Sequence, residues 1–78
     1  MENKIKYNTA FTESFFIDES ALEDLEYESI PEWDSVGHMG LIAEIEDAFG
    51  IELEMDDVID FGSYEKGKEI LKKYNVEI

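Results

Sequence analysis

The chain has 78 residues, which is enough for one small domain, and we place that domain at residues 1–78. It contains no cysteine, so neither a disulfide framework nor a cysteine-bound metal can hold it together, and its 44% hydrophobic content argues for an apolar core rather than disorder. A net charge of −15 at pH 7, from 21 acidic and 6 basic residues, argues against nucleic acids and anionic membranes as partners.

The charge is unevenly distributed along the chain. All six basic residues are lysines near the two ends, and eighteen acidic residues but no lysine or arginine lie between residues 7 and 65. We therefore expect partners with Lys and Arg patches and a salt-sensitive encounter with them. No apolar run reaches the length of a membrane span, and the first residues lack the pattern of a secretory signal, so we expect a cytoplasmic location. We also expect the chain to be a monomer.

The first predicted element is a helix over residues 5–16. Its apolar residues Ile5, Phe11, Phe15 and Phe16 recur loosely at helical spacing. Residues 17–33 then lose any period, apart from one short helical turn that we expect Ser20 to begin. A long connection inside a small domain is often functional.

The clearest predicted element is a helix over residues 35–49, followed by Gly50 where a C-terminal cap belongs. Gly37 and Gly40 fall in its first turns, and each costs about 1 kcal/mol relative to alanine. Its inward face repeats at helical spacing through Leu41, Ile42, Ile45, Ala48 and Phe49.

Two further helices are predicted in the last third of the chain. A brief one covers residues 56–61 and ends at Gly62, and a final one, capped by Ser63, covers residues 64–74 with Tyr64, Ile70, Leu71 and Tyr74 inward. The sequence thus predicts an all-α fold, a small four-helix bundle with three main helices and a short third helix.

Ser35 precedes an apolar helical run, and a serine there is usually an N-cap. Its surroundings point to something more specific. Residues 32–39, Glu-Trp-Asp-Ser-Val-Gly-His-Met, are similar to the Asp-Ser-Leu attachment motif of acyl carrier proteins, and residues 41–51 resemble that family's second helix and the loop after it. With the acidic first loop, the short third helix and the lysine-bearing last helix, the resemblance covers about residues 11–74.

The resemblance implies an acyl-carrier-like bundle with 4′-phosphopantetheine, taken from coenzyme A, attached to Ser35 by a phosphopantetheinyl transferase. It implies a role for Asp34 in recognition or metal contact during that transfer. The arm would carry acyl intermediates as thioesters to separate biosynthetic enzymes of a fatty acid, polyketide or other specialised pathway. The chain itself would be a carrier and not an enzyme, and would hold no metal of its own.

The resemblance also implies that the second helix docks the acyl-loading and acyl-processing enzymes. Val36 and Met39 would supply apolar contacts, and Glu44, Glu46 and Asp47 would meet basic patches. Helical spacing alone fits core packing for Met39 equally well, and a solvated face explains the three acids.

Several residues depart from the family pattern. Val36 replaces a commoner leucine, Gly37 and Gly40 stand where acids are frequent, and Gly67 replaces an inward apolar residue. We hypothesise a flexible helix start and extra room in the core. His38, the only histidine, is expected to be a surface or cap residue rather than a catalytic base, because no partnered nucleophile accompanies it.

Three other functions are compatible with a small, acidic, helical chain. An EF-hand loop with Gly62 at its sixth position places a ligand, Asp57, at only one of the four other required positions, so a specific calcium site is not expected. An aminoacyl, peptidyl or D-alanyl carrier would share the arm and the serine. An acidic protein-interaction module without a prosthetic group would use Ser35 only as a cap.

Overall fold

The computed structural model describes residues 2–78 and is built from four α-helices. They are α1 (Glu2–Phe15), α2 (Ser35–Phe49), α3 (Met55–Asp60) and α4 (Tyr64–Lys72). Residues 2–78 contain no β-strand, and the only bridge-type pairing joins Glu26 to Ser63. The predicted all-α bundle with a short third helix is confirmed. The bounds of α2 are those predicted, and α4 ends two residues earlier than expected.

The buried face of α1 differs from the predicted one. Tyr7, Phe11 and Phe15 repeat every four residues and are fully buried, whereas Ile5 is 64% exposed. Phe16 lies beyond the last helical residue in a left-handed conformation, with φ 56°, and is 90% exposed. Ile5 and Phe16 were therefore wrongly assigned to the apolar face, because the helix begins earlier and ends one residue sooner than the pattern indicated.

The long connection between α1 and α2 is attached to the start of α4. The Tyr64 backbone N–H donates to the Leu25 carbonyl at 2.9 Å, and the Tyr27 N–H donates to the Gly62 carbonyl at the same distance. The short helical turn, a single 3₁₀ turn at Glu19–Ala21, is capped by Asp18 rather than begun by Ser20. These attachments give the segment before Ser35 a fixed course despite its lack of regular structure.

Aromatic rings form the centre of the core. Trp33 stacks on Phe15 with ring centroids 5.3 Å apart and meets Phe11 edge-on at 5.6 Å. Because Phe11 and Phe15 belong to α1, these contacts place the last turn of α1 next to the first turn of α2. The core is completed chiefly by Tyr7, Phe61, Leu41, Ile45 and Leu71, all fully buried.

Gly67 does not leave spare room in that core. A Cβ atom at Gly67 would run into the Tyr7 hydroxyl and the Phe61 ring, with Phe61 Cε1 2.7 Å away. The missing side chain allows the Tyr7 and Phe61 rings to lie against the α4 backbone, where the Tyr7 hydroxyl donates to the Tyr64 carbonyl at 2.5 Å. The hypothesis of extra core space is therefore wrong at this position, because two rings from other elements occupy it.

A buried carboxylate joins α3 to the end of α4. Asp57 accepts from Lys73 Nζ at 2.7 Å and from the Tyr74 hydroxyl at 2.5 Å, and the same hydroxyl accepts from the Glu54 N–H at 3.0 Å. The hydrogen bond from Lys73, followed by that from Tyr74, lowers the pKa of Asp57. The bond to Asp57 in turn raises the pKa of Lys73.

Candidate functional site

Ser35 is the first residue of α2, and its side chain is exposed. The N-cap is Asp34, whose Oδ1 accepts from the Gly37 N–H at 2.8 Å. Reading Ser35 as the cap is therefore incorrect, because the preceding carboxylate takes that position. Within residues 2–78, no hydrogen bond holds the Ser35 hydroxyl. The hydroxyl is thus free to react or to bind.

Gly37 is required by the approach of the preceding loop. A Cβ atom at this position would collide with the Glu32 carbonyl oxygen, so a glycine lets the Glu32 peptide lie directly against the first turn of α2. Gly40, in contrast, is exposed and has no atom within 4 Å of a built Cβ. Flexibility of the helix start stays a prediction, but Gly37 has a packing reason of its own.

An apolar cleft of about 440 Å³ opens beside Ser35, between α2 and α3. Its walls are mainly aliphatic, aromatic and thioether groups, so it can receive an apolar group close to the serine hydroxyl. The lining residues are Tyr27, Ser35, His38, Met39, Met55, Val58, Ile59, Phe61 and Gly62.

The contribution of α3 to this cleft was missed from the sequence. Met55 and Ile59 are spaced four residues apart, which places them on one side of α3, and this spacing was the available signal. Nothing local indicated that this side would face α2. Both are largely exposed, at 73% and 70%, as are Val36 at 80% and Met39 at 57% on α2. Ser35 is thus surrounded by exposed apolar side chains, a feature typical of interaction sites.

The three acids predicted to meet partners have different surroundings. Asp47 is exposed on α2, and Glu44 is exposed beside a groove that Ile5 and Thr9 of α1 also line. Glu46 is half-buried, and its Oε2 accepts from the Leu53 N–H at 2.8 Å. Asp47 and Glu44 therefore keep free carboxylate surface, whereas Glu46 also holds the link between α2 and α3.

His38 is neither a surface residue nor a cap, contrary to expectation. Its ring is half-buried between the Trp33 loop and α3. The Trp33 indole N–H donates to Nδ1 at 2.9 Å, and Nε2 lies 2.7 Å from the Val58 carbonyl oxygen. Because both ring nitrogens are engaged, His38 has no nitrogen available for base catalysis in this arrangement.

Across residues 2–78, no group of three or more His, Asp or Glu side chains is placed to hold a metal ion. Within the same range, no helix has both the length and the apolarity needed to cross a bilayer.

Comparisons with protein-family models, with curated proteins and with solved structures found no match.

Proposed function

We propose that the chain is a carrier protein that holds an acyl group as a thioester on a 4′-phosphopantetheine arm attached to Ser35. The observation that carries the proposal is an exposed serine hydroxyl, without a partner in the described chain, beside an apolar cleft. The residues fit such an arm, because the hydroxyl is accessible and the adjoining cleft can receive an apolar group. When bound, the arm would supply the thiol that this cysteine-free chain lacks.

Loading would use Ser35 as the nucleophile. Its Oγ would form a bond to the pantetheine-side phosphorus of coenzyme A while the P–O bond within the pyrophosphate breaks. The leaving group, adenosine 3′,5′-bisphosphate, takes the electron pair, and the serine proton goes to a base on the transferase. The position of Ser35 in the first turn of α2 supports this step, because the positive end of the helix dipole favours the phosphodiester charge.

Asp34 is suited to assist loading as well as to cap α2. Its Oδ1 is used by the Gly37 N–H, and in residues 2–78 no hydrogen bond occupies its Oδ2. That second oxygen would contact the transferase or its Mg²⁺. Asp34 thus has a structural bond and a free acceptor next to the nucleophile.

Docking of partner enzymes would use the apolar surface around Ser35. Val36 and Met39 on α2 support this, and Met55 and Ile59 extend the same surface onto α3. Asp47 and Glu44 would meet basic side chains, in keeping with the net charge of −15. We expect these encounters to take place in the cytoplasm, with the carrier as a monomer.

An acidic interaction module is the second candidate, and the net charge is the observation that favours it. Such a module would bind basic proteins through its carboxylates and would need no prosthetic group. It gives no reason for an accessible serine beside an apolar cleft, so the carrier is the better account.

The absence of cysteine gives a direct test, since any thiol in the treated protein must come from the arm. The purified chain would be incubated with coenzyme A, Mg²⁺ and a broad-specificity phosphopantetheinyl transferase, desalted and titrated for thiols. We expect one thiol per chain, and none in a Ser35→Ala control. No thiol in a correctly folded wild-type chain, with several transferases tried, would favour the interaction module.

The loaded form then distinguishes the classes of cargo. Incubation with ATP and either an acyl or an aminoacyl ligase, followed by thioester detection, would separate an acyl carrier from an aminoacyl, peptidyl or D-alanyl carrier. We expect the acyl thioester to form, because the cleft beside Ser35 is lined mainly by apolar groups. Exclusive aminoacylation would overturn the choice of cargo but would leave the carrier assignment intact.

A further inference from the structure

The protonation state of His38 follows from its two hydrogen bonds. The Trp33 indole N–H can only donate, so His38 Nδ1 must accept at 2.9 Å. The Val58 carbonyl can only accept, so Nε2, 2.7 Å away, must carry the proton. The observed arrangement therefore requires a neutral ring with its hydrogen on Nε2.

The groups packed around the His38 ring are uncharged. From the loop, the Tyr27 ring lies 5.5 Å and the Trp33 ring 6.2 Å from it, and the Phe61 ring lies at 6.3 Å, centroid to centroid. On α3 the contact is the Val58 carbonyl. None of these four residues is an acid, a lysine or an arginine.

The nearby carboxylates are directed elsewhere. Asp34, one turn earlier, caps the Gly37 N–H, and Asp57 on α3 accepts from Lys73 and Tyr74. Asp56 and Asp60 are exposed, and neither lines the cleft. No carboxylate of residues 2–78 therefore accepts a hydrogen bond from the His38 ring, and none compensates a positive charge on it.

The position of α3 depends on a few attachments. With six residues it is too short to be stable alone, so its contacts with the rest of the chain decide its position. The Val58 carbonyl binds His38 on α2, and the Asp57 carboxylate binds Lys73 and Tyr74 beyond α4. The His38 attachment is the one at the cleft, where Val58 and His38 both line the wall.

We propose that His38 is a proton-sensitive positioning residue: the neutral ring fixes α3 at the cleft beside Ser35, and protonation displaces α3 and widens the cleft. Protonation puts a second N–H on the ring, pointed at the indole N–H only 2.9 Å away. Two donors facing each other repel, so His38 and Trp33 must separate. The ring then either draws Val58 and α3 away from the loop or leaves the Val58 carbonyl, and both movements displace the cleft wall.

The consequence for cargo rests on the proposed carrier function: an acyl group seated in the cleft would become more accessible when His38 is protonated. The positioning role itself needs no arm. It can therefore be tested on the unmodified chain. Its failure would leave the loading of Ser35 unaffected, and a failure to load Ser35 would leave the positioning role unaffected.

NMR is well suited to the test, because the chain has one histidine and one tryptophan and each gives a single unambiguous ring signal. The His38 Cε1–H and the Trp33 indole N–H would be followed between about pH 8 and pH 5, where histidine side chains change charge. We expect the two signals to shift together. Amide protection factors in α3, read at Val58, should fall roughly five- to tenfold on the acid side, whereas those at Leu71 in α4 should not.

Two variants separate the proposal from general acid destabilisation. His38→Gln retains an acceptor and a donor on one planar group but cannot be protonated in this range, so Val58 protection should become independent of pH. Trp33→Phe removes the opposing N–H, so the ring should protonate while remaining bonded to Val58, and α3 should stay protected. The proposal is overturned if Val58 protection in the wild type does not change across the His38 titration, or if His38→Gln shows the same change.

Discussion

Asp34 and Ser35 are adjacent, but their side chains have separate roles at the start of α2. The Asp34 carboxylate satisfies the Gly37 N–H, whereas the Ser35 hydroxyl makes no hydrogen bond to residues 2–78. Removing the Asp34 carboxylate should therefore destabilise the fold, whereas removing the Ser35 hydroxyl should have little effect on folding.

We expect Asp34→Ala to lower the free energy of unfolding by about 1 kcal/mol, as loss of an N-cap does, and Ser35→Ala to change it by less than about 0.5 kcal/mol. Asp34→Asn is the matched control, because an amide oxygen can still cap the helix while the charge is lost. Urea unfolding of the four proteins would measure the difference. Equal losses for Ser35→Ala and Asp34→Ala would contradict the assignment of the cap.

Gly67 and Gly40 give opposite predictions for the same substitution. Gly67→Ala should lower the free energy of unfolding by up to about 2 kcal/mol, since overpacking against Tyr7 and Phe61 costs roughly 1–3 kcal/mol and the higher helix propensity of alanine offsets about 1. Gly40→Ala meets no atom within 4 Å and should stabilise by up to about 1 kcal/mol. Thermal unfolding would compare them. A stabilised Gly67→Ala protein would show that the rings move aside easily.

Residues whose role depends on near neighbours were predicted from the sequence, and residues with distant partners were not. Gly50 and Ser63 were predicted as caps because cap chemistry is local, and both hold those positions. Gly67 and His38 were misjudged because their partners, Tyr7 and Val58, lie 60 and 20 residues away. No local pattern contains such distances.

Among the helices, α3 depends most on contacts with other elements for its position, because it has only six residues. It was predicted one residue late, because Met55 reads as part of the preceding link. α2 matched its predicted bounds because its apolar period, its acidic outer face and Gly50 agree with one another. The cleft required the side-by-side placement of α2 and α3, which periodicity does not determine, so only Ser35 and Met39 among its lining residues were predicted as site residues.

The Asp57 cluster should make the attachment of α3 sensitive to acid. The pKa of Asp57 is lowered in the folded chain, chiefly by the hydrogen bond from Lys73 and then by that from Tyr74. Its contribution to stability is therefore present above the unfolded value, roughly pH 3.9, and is lost as the pH falls through the lower folded value. We expect the stability difference between wild type and Asp57→Asn to shrink as the pH falls below about 4.

That difference would be measured by urea unfolding of both proteins at several pH values. Because the other acids are present in both proteins, their titration contributes equally to each and is absent from the difference. Asp47→Asn is the control, since the Asp47 carboxylate is exposed on α2 and accepts no hydrogen bond within residues 2–78. A pH-independent difference for Asp57→Asn would show that the Lys73 and Tyr74 bonds do not favour the charged carboxylate.

Over the whole molecule, two of the lysines lie at the end opposite Ser35. The first turn of α1 meets the C-terminus, where Asn3 Nδ2 donates to the Glu77 carbonyl at 3.1 Å, so Lys4 and Lys72 belong to that end. Ser35 lies at the other end, beside the last turn of α1.

The same charge should weaken the fold at low ionic strength. A net charge of −15 on a 78-residue chain repels itself, and salt screens that repulsion. We expect the Tm to rise by several degrees between about 10 mM and 150 mM NaCl, with each kcal/mol corresponding to roughly 4–8 °C in a domain of this size. An unchanged Tm would mean that the acids are spaced widely enough not to destabilise the bundle.

The attachment of phosphopantetheine to Ser35 is the central claim, and intact-mass measurement tests it most directly. The wild type, Ser35→Ala and Ser63→Ala would each be treated with coenzyme A, Mg²⁺ and a phosphopantetheinyl transferase. Ser63 is the matched control because it is also a serine at a helix start, but caps Lys66 at 2.9 Å. We predict a gain of one phosphopantetheine in the wild type and in Ser63→Ala, and none in Ser35→Ala. A folded wild type that gains no mass, or a Ser35→Ala protein that does, would contradict the account.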